Sequence, residues 1–104
     1  MTEQNAIYYV SYQLKKGASV EEFLAATEAL NNEEISKKQG YISWQQLRHG
    51  EIWADMLTFE TMDDLEKFNA ESANPSELAM KFYSFINPSA KGSKLHYFTV
   101  EKSY

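Results

Sequence analysis

The chain has no cysteine. Disulfides and thiolate chemistry are therefore excluded. Histidine is scarce: His49 and His96 stand far apart in the sequence, so a zinc site is not expected. Cations are few and scattered. Ten Lys and Arg against 15 Asp and Glu leave a net charge of −5. Lys15-Lys16 and Lys37-Lys38 are isolated pairs. Phosphate tracking needs clustered cations, so nucleic acid is not an expected partner. No apolar run approaches the ~20 residues that a membrane helix needs. The start, MTEQNA, lacks the charged-then-apolar pattern of a signal peptide. A cytoplasmic location without membrane attachment is the expectation. Gly-x-Ser-x-Gly, phosphate-loop and Gly-x-Gly-x-x-Gly signatures are all missing.

What is present points to one globular domain of 104 residues. Apolar residues make up 43%, and seven Tyr, six Phe and two Trp suffice for a real core. Residues 41–60 organise the rest. YISWQQLR, then His49-Gly50, then EIWADMLTFE read as strand, tight turn, strand, because Gly supplies the positive φ of a primed turn. With His49 and Gly50 as the loop, Arg48 faces Glu51, Gln46 faces Trp53, Trp44 faces Asp55 and Ile42 faces Leu57. One face then carries Ile42, Trp44, Gln46, Trp53, Asp55, Leu57 and Phe59. The other carries Tyr41, Ser43, Gln45, Leu47, Ile52, Ala54, Met56 and Thr58. Neither face is wholly polar, so both must be covered.

Residues 7–14, IYYVSYQL, read as the first strand, with Tyr8, Val10, Tyr12 and Leu14 on one side. Ser19 and Glu22 form a capping box, and an apolar stripe runs from Val20 towards Ile35. Gly40 reads as the C-cap. Thr61 caps a second helix, with Asp63 and Asp64 in its first turn and Leu65 and Phe68 on its buried side. Asn74-Pro75 restarts the pattern as cap and first helical residue. Leu78, Phe82, Phe85 and Ile86 form its stripe. A turn-rich loop over 88–93 leads to a last strand, 95–101.

The order β-α-β-β-α-β is the split β-α-β, ferredoxin-like pattern. The expected fold is α+β: a four-stranded antiparallel sheet with a parallel central pair and helices on one face. The uncovered face would hold Ile7, Tyr9, Tyr41, Leu47, Ile52 and Met56. An apolar set of that size usually marks an interface, and a two-fold homodimer covers both copies with one contact.

The run GYISWQQLRHGEIWADMLTFETMDDLEKF, 40–68, resembles the centre of the dimeric α/β-barrel superfamily, close to its antibiotic-biosynthesis-monooxygenase-like members. The matching features are Gly40, the His49-Gly50 hairpin, Phe59 closing the third strand, and Thr61-Met62-Asp63-Asp64 opening a helix. The element order extends the likeness over nearly the whole chain, without an invariant catalytic residue. The resemblance implies a homodimer, with ligands held between the sheet and the helices of each subunit. It also implies a choice of activities: cofactor-independent oxygenation of quinols and polyketide-like aromatics, haem degradation, or isomerisation. Haem-degrading relatives use an Asn, a Trp and a His that fall near Val10, Phe68 and Leu78 here. None of these three can ligate iron or donate a side-chain hydrogen bond, so haem degradation is not expected.

Asp55 is the most unusual residue, a carboxylate in an apolar strand. Its functional reading is a general base or substrate anchor, and its structural reading is a buried hydrogen bond or a place on the rim. Tyr8, Tyr12, Trp44, Trp53 and Phe82 can wall a pocket for a flat aromatic ligand, or simply form an aromatic core. His96, in the last strand with its face unassigned, is the second candidate base. His49 reads as a solvated turn residue. Glu21-Glu22, Glu33-Glu34 and Asp63-Asp64 read as caps and solvated helix faces. Two functions follow: a cofactor-free monooxygenase or isomerase using Asp55 or His96, or a non-catalytic ligand-binding or stress-related dimer using the same pocket. No cofactor or metal is expected in either.

Overall fold

A computed structural model describes residues 4–88 and 94–104. Strand β1 spans Ala6–Tyr12, helix α1 Val20–Glu33, and a single 3-10 turn Ile35–Lys37. Strands β2 and β3 follow at Tyr41–His49 and Ile52–Phe59, then helices α2, Met62–Glu71, and α3, Glu77–Tyr83, and strand β4, Lys94–Thr99. The sheet order is β2-β3-β1-β4. All its pairings are antiparallel, including β1 with β3. The expected parallel central pair is therefore wrong. The α1 crossover makes β1 and β2 parallel, but β3 lies between them.

The helix starts follow their capping residues. Ser19 Oγ accepts from the Glu22 N–H at 3.1 Å, and Thr61 Oγ1 from the Asp64 N–H at 3.1 Å. Each such cap stabilises its helix by about 1 kcal/mol. The third start differs from expectation. Ser76 caps α3, accepting from the Ala79 N–H at 3.1 Å, whereas Asn74-Pro75 stays in the connection. A Ser two residues past Asn-Pro also satisfies the capping rule, and it is the one that reaches. Gly40 is not the cap of α1, which ends at Glu33 before the 3-10 turn. Its φ of +77° leads into β2 instead, and a Cβ there would overlap the Asp64 carboxyl group. Asp64 itself is buried and accepts from Gln39 Nε2 at 3.0 Å, so it does not lie on a solvated face.

The hairpin pairs His49 with Ile52, Gln46 with Asp55 and Trp44 with Leu57. The loop is Gly50-Glu51, with positive φ at Gly50 alone, the sign pattern of a II′ turn. This differs from the expected register by two residues, so the paired side chains from Ser43 onward keep their faces. A bulge between Tyr41 and Ser43 corrects the strand start. It turns Tyr41 to the helix side, where its hydroxyl donates to Asn31 Oδ1 at 3.0 Å, and leaves Ile42 exposed. Strand β1 ends at Tyr12, but Leu14 continues as a single bridge to Ile86. Residues 89–93 of the expected loop lie outside the described residues.

Phe23, Phe59 and Leu65 are fully buried at the centre of the core. Phe23 stacks on Phe82 at 5.2 Å and meets Trp53 edge-on at 5.3 Å, tying α1 and α3 to the sheet. Truncating such a side chain costs about 3–5 kcal/mol. The opposite face of the sheet has no helix among the described residues. Leu47, Ile52 and Phe98 are about half-exposed on it, with Ile7, Tyr9 and Met56 partly covered between them.

Candidate active site

A cavity of about 640 Å³ lies between the helix-covered face of the sheet and the α1–α3 layer. That size suits a small organic ligand. Tyr8 and Tyr12 from β1, Trp44 from β2, Asp55 and Leu57 from β3, and Phe82 and Tyr83 from α3 line it. Alternation along the strands selects these residues: Tyr8 pairs with Leu57, Val10 with Asp55, and Gln46 with Asp55. Two polar contacts tie its rim. Lys38 Nζ lies 3.6 Å from Glu71 Oε1, and Ser76 Oγ donates to Glu34 Oε2 at 2.7 Å.

Asp55 is 3% exposed, in the middle of the sheet. Tyr12 donates its hydroxyl to Asp55 Oδ1 at 2.9 Å. Burial pushes the Asp55 carboxyl up to about pKa 7, against the opposing pull of Tyr12, Trp44 and Gln46. A carboxyl in that range exchanges its proton near neutral pH, which is what a general base requires. The surrounding phenols move the other way in reactivity. Burial first, and then the charge of Asp55, raise Tyr12. Tyr8 is raised by burial and by Tyr83, Tyr97 and Asp55. Tyr83 is raised by burial and by Asp55, although nearly half its surface is open. These phenols stay neutral, and the Tyr12 hydroxyl is the one that donates to Asp55.

Gln46 is held beside this group by a relay. Its Nε2 donates to Thr27 Oγ1 at 3.0 Å, and Thr27 Oγ1 donates to the Phe23 carbonyl at 2.9 Å. The Trp44 indole nitrogen is buried beside Asp55 and draws its carboxyl down, although among the described residues no partner meets it at full hydrogen-bond geometry.

The structure brings Asp55, Tyr8, Tyr12, Trp44 and Phe82 together at one cavity. It does not bring Trp53 or His96 there. Trp53 shares the face of Asp55 but lies under α1, packed on Phe23, with the Arg48 guanidinium 5.0 Å over its ring. His96 pairs with Tyr9 and stacks on Phe98 at 5.8 Å, on the open side of the sheet. His49 ends β2 opposite Ile52, outside the turn, and is exposed. Tyr83 and Gln46 were not legible as site residues. Gln46 had one signal, its place on the Asp55 face of the hairpin. Among the described residues, no group of three His, Asp or Glu could hold a metal.

No protein-family model matches the chain, and no curated protein matches it in sequence. Solved structures do. SnoaB, a cofactor-independent oxygenase from Streptomyces nogalater, superimposes with a TM-score of 0.71 at 12% identity, over 96% of each chain. A putative antibiotic biosynthesis monooxygenase from Nitrosomonas europaea gives 0.66 at 12% identity, over 97% of this chain and 94% of that one. A haem-degrading protein from Mycobacterium tuberculosis gives 0.61 at 15%, over 98% and 97%. The fold is the ferredoxin-like fold of the antibiotic-biosynthesis-monooxygenase type. At such identities the likeness is one of backbone, and proteins with unlike activities share it. What an antibiotic-biosynthesis-monooxygenase fold does in this chain depends on its own cavity side chains.

Proposed function

We propose that this protein is a cofactor-independent monooxygenase of a small aromatic or polyketide-like molecule, working as a homodimer. The observation that carries the reading is Asp55, a buried carboxyl with a pKa near 7 at the wall of an aromatic-lined cavity. A protein of this kind supplies a base and a dry site, and the substrate supplies the electrons. For a quinol, Asp55 accepts a hydroxyl proton. The anion transfers electrons to dioxygen, and a carbon–oxygen bond forms on the ring. The O–O bond then breaks, one oxygen leaves as water, and the ring becomes a hydroxyquinone. One quinol and one dioxygen give one hydroxyquinone and one water, with no outside reductant. Trp44, Tyr8, Tyr12 and Phe82 hold the ring and exclude bulk water. His96 has no part in this reading, since it lies across the sheet from the cavity.

The homodimer rests on the open sheet face. Leu47, Ile52 and Phe98 are each 42–50% exposed there. A second copy packed face to face would bury both patches. Among the described residues, no helix is long and apolar enough to cross a membrane.

Incubation with quinols under labelled dioxygen tests the activity. One labelled oxygen atom in the product and one in water are expected. Saturable binding without oxygen uptake across such a panel would favour the non-catalytic ligand-binding dimer.

A further inference from the structure

Thr27 and Gln46 make a polar contact behind Asp55 that the proposed reaction does not use. Neither of them lines the cavity. Gln46 pairs with Asp55 across the hairpin, and Thr27 comes to it from α1 as a buried residue. The Thr27 hydroxyl has one hydrogen, which it gives to the Phe23 carbonyl at 2.9 Å. Thr27 can therefore only accept from Gln46, and this fixes the nitrogen end of the Gln46 amide on it at 3.0 Å. Turned the other way, the amide oxygen would meet the hydroxyl oxygen with no hydrogen between them.

The fixed amide nitrogen carries a second hydrogen. Asp55 is its cross-strand neighbour, and Tyr12 donates to that same carboxyl. Gln46 draws both the Asp55 carboxyl and the Tyr12 phenol down, which a donor does and an acceptor does not. The polarity thus runs from the Phe23 carbonyl through Thr27 and Gln46 to the acid. The other titratable groups facing Asp55 are Tyr8 from β1 and Tyr83 from α3. The charged side chains around the same cavity are Glu34, Lys37, Lys38 and Glu71. Substitutions at Thr27 and Gln46 leave all of these in place.

We propose that Thr27 is a positioning residue for Asp55: through Gln46, helix α1 holds a donor and not an acceptor against the buried carboxyl. Without the Thr27 hydroxyl, the Gln46 amide is free to turn its oxygen towards Asp55. An oxygen there accepts from the protonated acid and keeps the proton on it. With the hydroxyl in place the proton leaves more easily, so more of the protein carries the carboxylate at neutral pH. Thr27 and Gln46 act from behind the acid and touch no ligand in the cavity. The inference takes Asp55 as the working group, as the proposed function does, but it needs neither a substrate nor oxygen.

Carbon-13 NMR of the Asp55 carboxyl, assigned by its loss in Asp55→Asn, follows the titration in the ligand-free protein. Thr27→Val replaces the hydroxyl by a methyl group. It should raise the Asp55 midpoint by about one pH unit, given what a hydrogen bond to a charged group contributes. Thr27→Ser keeps the hydroxyl and should titrate as wild type does. Gln46→Met removes the amide and should raise the midpoint by a similar amount. Adding Thr27→Val to it should raise the midpoint no further, because the two residues act in series. Wild type alone gives a second readout. The Gln46 side-chain amide protons, assigned with Gln46→Met, should shift with pH at the Asp55 midpoint. An unmoved midpoint in folded Thr27→Val, a shift in Thr27→Ser as large as in Thr27→Val, or a further shift in the double variant would overturn the proposal. So would amide protons blind to the Asp55 titration, which decides the matter if Thr27→Val does not fold. Failure of oxygen uptake with this behaviour intact would sink the oxygenase reading and leave this one standing. Oxygen uptake with an unmoved midpoint would do the reverse.

Discussion

Tyr12 and Asp55 share a hydrogen bond of 2.9 Å inside the core, phenol to carboxyl, across two adjacent strands. The bond holds the ionised form of Asp55, while burial favours the neutral form and dominates. Removing the phenol oxygen should therefore raise the Asp55 pKa further. Tyr12→Phe should move the base limb of the pH–rate profile to higher pH by about one unit, given what a hydrogen bond to a charged group contributes. An unmoved limb in a folded variant would mean that Asp55 is not the titrating base.

The same shift makes stability depend on pH. In the unfolded chain a carboxyl titrates near ~4. In the folded protein Asp55 titrates near 7. Between these values the folded state holds one more proton, so its stabilising contribution is complete at low pH and is lost as pH rises through about 7. The slope approaches about 1.4 kcal/mol per pH unit in that window. Asp55→Asn has no such proton. Its stability relative to wild type should rise between pH 5 and pH 8, by a few kcal/mol at most. Denaturant melts of both proteins across that range check the sign.

Gly40 and Gly17 both have positive φ, at +77° and +82°. A Cβ on Gly17 meets nothing within 4 Å, whereas one on Gly40 overlaps Asp64. Gly17→Ala should cost about 1 kcal/mol from backbone strain alone. Gly40→Ala should cost clearly more, on the order of 2–4 kcal/mol, because strain and overlap add. Thermal melts of the two variants should rank them in that order.

Face assignments were legible in the sequence because alternation has a period of two. The hairpin register lies two residues from the expected one, and Trp44, Gln46 and Asp55 share one side in both. The bulge that turns Tyr41 inward leaves no compositional mark. Trp53 shows the next limit: the sequence places it on the Asp55 face, but not under α1 instead of over the cavity. His96 could not be placed because no tight turn fixes the register of β4, which the fold sets by pairing with β1. Ser76 displaced Asn74 as a cap for a similar reason, since both satisfy the local rule and tertiary packing decides.

The open sheet face should be a dimer interface. Met56 pairs with Tyr9 at its centre. Met56→Lys should convert a wild-type dimer to monomer, or leave it unfolded, because a charge would be buried without a partner. Light scattering at micromolar concentration reads this. A folded wild-type monomer under those conditions would contradict the interface.

The most direct test of the central claim is oxygen uptake by wild type and Asp55→Asn on one quinol that wild type turns over. The substitution keeps the shape and removes the base. Asp55→Asn should remain folded, bind the quinol, and lose turnover by roughly 10²–10⁴-fold, the range for a general base. A folded Asp55→Asn protein with wild-type turnover would contradict the account.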